Sequence, residues 1–337
     1  MANNEIFELL GFDEFMAFMK KSVKEAVGKG YKVEVNHVIK NNSIELDGLV
    51  ILRENEHITP NIYLNPYYGR YLEGDSLQGL VKEIIHIYMA AKEDREREAV
   101  CIHYEFNEMK NCIIYRLINY ERNRKLLQEV PHIHFLDLAI TFHCLVKNNE
   151  QGIGTIRITN EHIKNWNIGI DDLKEVARAN TPVLFPPVVK NMNDVILDII
   201  KNDMQTPPDK EAGNGLSLTG AMGKAEEAGD ILGTFLESLE QQKTNNMYVI
   251  SNRKGINGGS CLLYPDVIKT LAEELESDLY ILPSSIHEII AVKANKSIDK
   301  GTFREMVFDV NRTQVPEEDI LSDSVYFYSR ERNAITL

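Results

Sequence analysis

The chain has no C-x-x-C pair, no excess of basic residues, no internal repeat and no apolar run near twenty residues. Each absence removes a class of function. The four cysteines, Cys101, Cys112, Cys144 and Cys261, are widely spaced, which argues against zinc-ribbon and dithiol redox chemistry and predicts reduced, partly buried thiols. With 37 Lys and Arg against 51 Asp and Glu, the net charge of -14 gives no broad footprint for nucleic-acid or anionic-membrane phosphates. Without a long apolar run, no bilayer-spanning helix is expected. The start, Met1-Ala2-Asn3-Asn4-Glu5-Ile6, has no basic segment leading into an apolar one, so a cytoplasmic setting is expected.

What is present is the composition of an ordinary globular protein, 43% hydrophobic and 26% charged over 337 residues, enough for two modules. Phe12, Phe15, Met16, Met19, Val23 and Val27 fall at helical spacing and predict a helix ending near Gly28. Alternating runs at 31–35 and 44–52 flank Asn41-Asn42 as the strands of a hairpin would. A strand is expected at 61–64, a helix at 77–91, strands at 112–117, 135–146 and 153–159, and a helix at 120–129. Asn160 and Asp171 or Asp172 are expected to cap two helices, with Pro182 stopping the second.

Six glycines between Gly213 and Gly233 predict a flexible insertion, and a helix is expected through Ile231, Phe235 and Leu239. Beyond it, strands at 247–250, 279–282, 289–292 and 325–328 alternate with helices at 265–275 and 302–311. The fold class predicted is α+β. An N-terminal mixed α/β module (1–160) and a C-terminal α/β module (247–337) are joined by a helical segment (161–205) and the Gly-rich insertion (206–246).

Two Pro-flanked segments carry the chemistry. His132 and His134 are two apart, so an extended backbone places both on one face, where Asp137 or His143 could complete a divalent-metal cluster. The more frequent role of such histidines is to hydrogen-bond backbone or face water. Ser284 and Ser285 precede His287 and Glu288, which suggests a nucleophile and base. Neighbours along a strand point to opposite faces, however, and a turn whose hydroxyls satisfy backbone groups is the plainer reading; no G-x-S-x-G elbow occurs.

Arg253, Lys254, Gly258 and Gly259 follow a strand and offer a weak anion-binding loop that matches neither dinucleotide nor P-loop spacing. Tyr63, Tyr67, Tyr68 and Tyr71 with Arg70 read as a packed corner or a protein-binding surface. Trp166, the single tryptophan, reads as a packing anchor. Nucleic-acid handling would need Arg53, Arg70, Arg116, Arg122, Arg124 and Lys125 on one face.

Further segments carry a resemblance: Leu46-Asp47-Gly48-Leu49, Ile62-Tyr63-Leu64-Asn65, Leu117-Ile118-Asn119 with Asn123, Pro131-His132 with Leu136-Asp137-Leu138-Ala139, Asn180-Thr181-Pro182, Pro283-Ser284-Ser285-Ile286-His287-Glu288, and Leu321-Ser322-Asp323 with Val325-Tyr326. Through these the chain resembles an uncharacterised bacterial family of unknown function frequent in gut Firmicutes. A fainter similarity, through Trp166, the Asp172–Asn180 helix and the unit beginning at Tyr248, reaches the YtpQ-like family. The second resemblance implies a cytoplasmic α+β protein, and neither implies a particular reaction. The function expected is a non-enzymatic binding or regulatory protein with another protein as partner and no cofactor. The alternative is a metal-dependent hydrolase using His132, His134 and Asp137, joined by His287 and Glu288.

Overall fold

The computed structural model describes residues 9–53, 61–97, 105–149, 152–205, 247–294 and 300–337. Cys101, the expected Gly-rich insertion at 206–246 and the helix expected within it at 231–239 lie outside them. Contacts divide the chain into two units, Met1–His103 and Tyr104–Leu337. The expected boundaries at 160 and 205 fall within the second unit.

In the first unit, α1 (Phe12–Val27) buries Phe15, Met19 and Val23, one residue per turn. The hairpin β1 (Tyr31–Ile39) and β2 (Glu45–Arg53) pairs from Tyr31 with Arg53 to Ile39 with Glu45. Asn42 and Ser43 supply the positive φ angles at its tip. β3 (Asn61–Tyr63) adds to β2, and α2 (Leu64–Leu72) and α3 (Leu77–Arg97) follow. The tyrosines of α2 pack on α1, with Tyr68 on Phe12 at 5.0 Å and Tyr71 on Phe15 at 5.5 Å. Tyr71 Oη accepts from the Leu10 amide and Tyr68 Oη donates to the Leu10 carbonyl, so this cluster is a packed corner.

The second unit opens with α4 (Phe106–Met109), β4 (Ile113–Asn119), α5 (Arg124–Leu127), β5 (His132–Phe135), β6 (Leu138–Asn149) and β7 (Gly152–Arg157). The long β6 carries β4 along one edge and β5 and then β7 along the other, all antiparallel. Helices α6 (Asn160–Trp166) and α7 (Ile170–Leu184) follow, then β8 (Pro187–Asn191) and α8 (Met192–Gln205). The rest is β9 (Met247–Asn252), α9 (Val267–Glu274), β10 (Leu279–Leu282), β11 (Ile289–Lys293), α10 (Lys300–Thr313), β12 (Tyr326–Ser329) and β13 (Ala334–Thr336). Their antiparallel sheet has the order β13-β12-β10-β11-β9-β8.

One core joins both sheets of this unit: Ile113, Tyr115, Leu117 and Phe142 cluster with Ile250, Leu271, Ile281, Ile289 and Tyr326. Helices and antiparallel sheets together make the fold α+β, as the patterning predicts. Trp166 packs against this core and lies 5.9 Å from Phe106. Among the described residues no helix is long and apolar enough to cross a membrane.

Several local expectations are corrected. The strand expected over 135–146 is a hairpin, because Phe135 pairs with Leu138 and Leu136 takes φ 57°. A tight turn needs that conformation and usually signals it with glycine or asparagine; leucine hides it. Helix α7 runs past Pro182 to Leu184. The bond forfeited is to the Arg178 carbonyl on the exposed side, and Phe185 N–H still reaches the Thr181 oxygen at 2.9 Å. Thr159 caps α6, while the Asn160 amide donates to Gln128 O at 2.9 Å. Gly169 stands at the start of α7, with its N–H donating to the Asp172 carboxylate at 2.7 Å. The 120–129 helix is a 3-10 turn followed by the short α5.

Gly258 and Gly259 are buried where the backbone after β9 meets residues 285–287; a Cβ on Gly258 would overlap Ser251 Oγ and the His287 carbonyl oxygen. Gly258→Ala is expected to lower unfolding stability by about 2 kcal/mol or more, read by urea titration, since overpacking against backbone has nowhere to relax.

Candidate functional site

The sequence candidates separate into three places in the second unit. Asp137, in the β5–β6 turn, accepts hydrogen bonds from the hydroxyls of Ser322 and Tyr326, residues 185 and 189 positions away. Its carbonyl takes the Tyr120 amide at 3.0 Å. Ser322 and Tyr326 are fully buried, and burial followed by the Asp137 charge pushes the Tyr326 phenol far above its ordinary range. Around this point Asn119 Nδ2 donates to Leu321 O at 3.0 Å, and Arg122 pairs with Asp323 at 3.0 Å. Asn311 Nδ2 donates to Ser322 O at 2.9 Å and to Asp323 Oδ1 at 2.7 Å. Asp137 is thus a fastening between sheets, and its oxygens are occupied.

The 283–288 loop is fastened as well. Ser284 O and Pro283 O accept the amides of Leu321 and Ser322, and Ser285 bridges to Ile320. His287 has both ring nitrogens in use: Nε2 lies 3.2 Å from Asp319 Oδ1, and Nδ1 accepts the Asn257 amide at 3.3 Å. Ser285 Oγ takes the His287 amide at 3.0 Å, so the serine and the imidazole do not form a nucleophile–base pair. Burial raises the Glu288 carboxyl, opposed by His287 and by the Ser285 hydroxyl. Arg253 N–H donates to Pro186 O at 3.0 Å and Lys254 Nζ to Asn149 O at 3.2 Å.

The third place is one face of the β4–β7 sheet. Directly paired residues share a face, so three rows run across it: Ile114, His143 and Arg157; Arg116, Thr141 and His132; Ile118, Ala139 and His134. The opposite face holds Tyr115, Leu117 and Phe142 of the core. Apolar clusters close both ends of the polar face, Ile114 with Leu145 and Phe185 at one and Ile118 with Leu126, Leu127 and Val130 at the other. Between them lie two guanidiniums, three imidazoles and a hydroxyl, and the rows contain no carboxylate.

Within the rows, His143 is only 6% exposed and Thr141 2%. Thr141 Oγ1 lies 3.2 Å from His143 Nε2. Burial first, then the Arg116 and Arg157 charges, hold the His143 imidazole well below its ordinary range and so neutral. The Arg116 Nε is buried with no hydrogen-bond partner. Burial, then Arg157, pulls that guanidinium down to about 10, still charged at neutral pH. His132 donates Nδ1–H to Val130 O at 3.0 Å, and His134 stacks on Tyr120 at 4.3 Å. The two histidines therefore share a face as predicted, while Asp137 is bonded elsewhere.

The family model of a family of unknown function (DUF5688) matches residues 12–330. The chain belongs to that family. No curated protein and no solved structure matches it. In this DUF5688 chain, segments taken for the resemblance, 117–123, 136–139, 283–288 and 321–326, meet at the Asp137 fastening.

Among the described residues no three His, Cys, Asp or Glu side chains group as metal ligands. Three of the arginines considered for nucleic acid are held in ion pairs, Arg70 with Asp75 and Glu83, Arg122 with Asp323, Arg124 with Glu121. Sequence reasoning singled out Arg116 and His143 for other roles and passed over Thr141 and Arg157. Their signal is a polar residue between apolar neighbours, as in Ile140-Thr141-Phe142-His143-Cys144 and Ile156-Arg157-Ile158.

Tyr326→Phe is expected to cost about 1–3 kcal/mol in urea unfolding, because it removes one buried donor from a charged acceptor. A second expectation concerns pH. A histidine held neutral by the fold contributes stability above its unfolded pKa of about 6.5 and loses it as pH falls toward the folded value. Between pH 7 and pH 5 the parent should lose stability more steeply than His143→Gln; parallel losses would show that His143 is not held neutral.

Proposed function

We propose that this protein binds a partner or ligand in a regulatory capacity instead of transforming a substrate. The observation that carries this is the engagement of the reactive atoms: Asp137 by Ser322 and Tyr326, His287 by Asp319 and Asn257, Ser285 by the His287 amide. Groups that supply a nucleophile or base are instead spent on holding loops together. The hydrolase alternative draws no support from the β4–β7 sheet face, where His132 and His143 share their rows with guanidiniums, which repel a divalent cation. A cytoplasmic setting is part of this reading, supported by Cys112, Cys144 and Cys261 being free thiols. The partner proposed is another protein, which suits an acidic chain.

Chromogenic acetate and phosphate esters, offered with and without added zinc or manganese, should be hydrolysed at the buffer rate. A rate that scales with protein and falls tenfold or more in His287→Gln, or in the His132→Ala, His134→Ala double variant, would overturn the reading.

A further inference from the structure

We propose that the polar face of the β4–β7 sheet is a seat for one small oxyanion, a phosphate or a carboxylate, held by Arg116 and Arg157 with Thr141 and His132 beside them. This goes beyond the proposed function, because the seat is argued from the sheet face itself and holds whether or not the chain also transforms a substrate.

The sheet register places these groups in two adjacent rows, Arg116-Thr141-His132 and His143-Arg157. A guanidinium left with an unused buried N–H is costly, because the charge has lost water without gaining an acceptor. Arg116 Nε is such a group. Its neighbours make the deficit larger, since the charge of Arg157 disfavours that of Arg116 and His143 adds no negative charge. The missing component is therefore an acceptor carrying negative charge, and a planar guanidinium matches two oxygens of a carboxylate or phosphate.

The seat has a way in. Arg116, Arg157 and His132 are partly buried and His134 is exposed, whereas His143 and Thr141 form the buried floor. His132, with Nδ1–H committed to Val130 O, keeps Nε2 as an acceptor when neutral and becomes a second N–H donor there only when protonated. Charge selects the size of the ligand. A chain of net charge -14 repels a polyanion over most of its surface, so a nucleic acid is disfavoured while a small anion can enter a local basic recess.

The test is thermal unfolding of the full chain against inorganic phosphate, acetate and succinate, each at ionic strength matched with chloride, repeated for Arg116→Met and Arg157→Met. The parent should show a saturable rise of about 3–6 °C at roughly a hundredfold excess over the dissociation constant. Each variant should need at least tenfold more anion. Without anion, Arg116→Met should melt no lower than the parent, because it removes an uncompensated charge. A rise with phosphate alone assigns a phosphate group, and one with acetate or succinate alone a carboxylate. No saturable rise with any of the three, or one unchanged in both variants, overturns the seat. Ester hydrolysis would remove the binding reading and leave the seat standing, so the two failures are separable.

Discussion

A hairpin that turns on leucine in the left-handed region is held only if the residue after it is pinned, and here that residue is Asp137. Leucine at φ 57° costs about 1–2 kcal/mol relative to glycine, since Cβ crowds the following carbonyl. The cost is offset by two hydroxyl donors to a carboxylate, each stronger than a neutral hydrogen bond. Both donors come from near β12, almost two hundred positions along the chain. The same contact therefore ties the β4–β7 sheet to the C-terminal sheet, and the backbone ladder between 283–286 and 319–322 extends the tie.

That pinning decides what lies on the polar face. Side chains alternate with period two, so a slip of one residue between β5 and β6 would send His132 and His134 to the core side and Ile133 outward. With the turn fixed, Phe135 and Ile133 pack against the core and the histidines stand in the rows with Arg116 and Thr141. The fastening at Asp137 and the basic rows are thus one arrangement: the first sets the register on which the second depends.

Sequence made legible whatever is periodic within one element. The three- and four-residue spacing of Phe15, Met19 and Val23 marks α1, and Asn41-Asn42 marks the first hairpin, because asparagine tolerates positive φ. Leu136 gives no such mark, and Pro182 gives a false one because a proline in the last turn forfeits a single bond. At the site, His132 and His134 are legible as a same-face pair, since two-residue spacing is a property of one strand. The rows themselves are not, because they need the pairing of β4, β5 and β7 with β6. Pairing also passes through an irregularity between Leu145 and Lys147, where counting by twos fails.

The energetic tension lies on that face. A sheet facing a covered environment is most stable when the face is apolar, as Ile114 and Ile118 at its ends illustrate. Placing Arg116 between them, with a buried N–H left over, lowers stability, and the neutral His143 below it does not supply compensation. The Asp137 fastening and the shared core of the second unit can carry that deficit because they do not run through Arg116. Rigid support from elsewhere is also what an anion seat requires: donors held apart against their mutual repulsion before the ligand arrives, so that the ligand's charge relieves the repulsion instead of ordering the site.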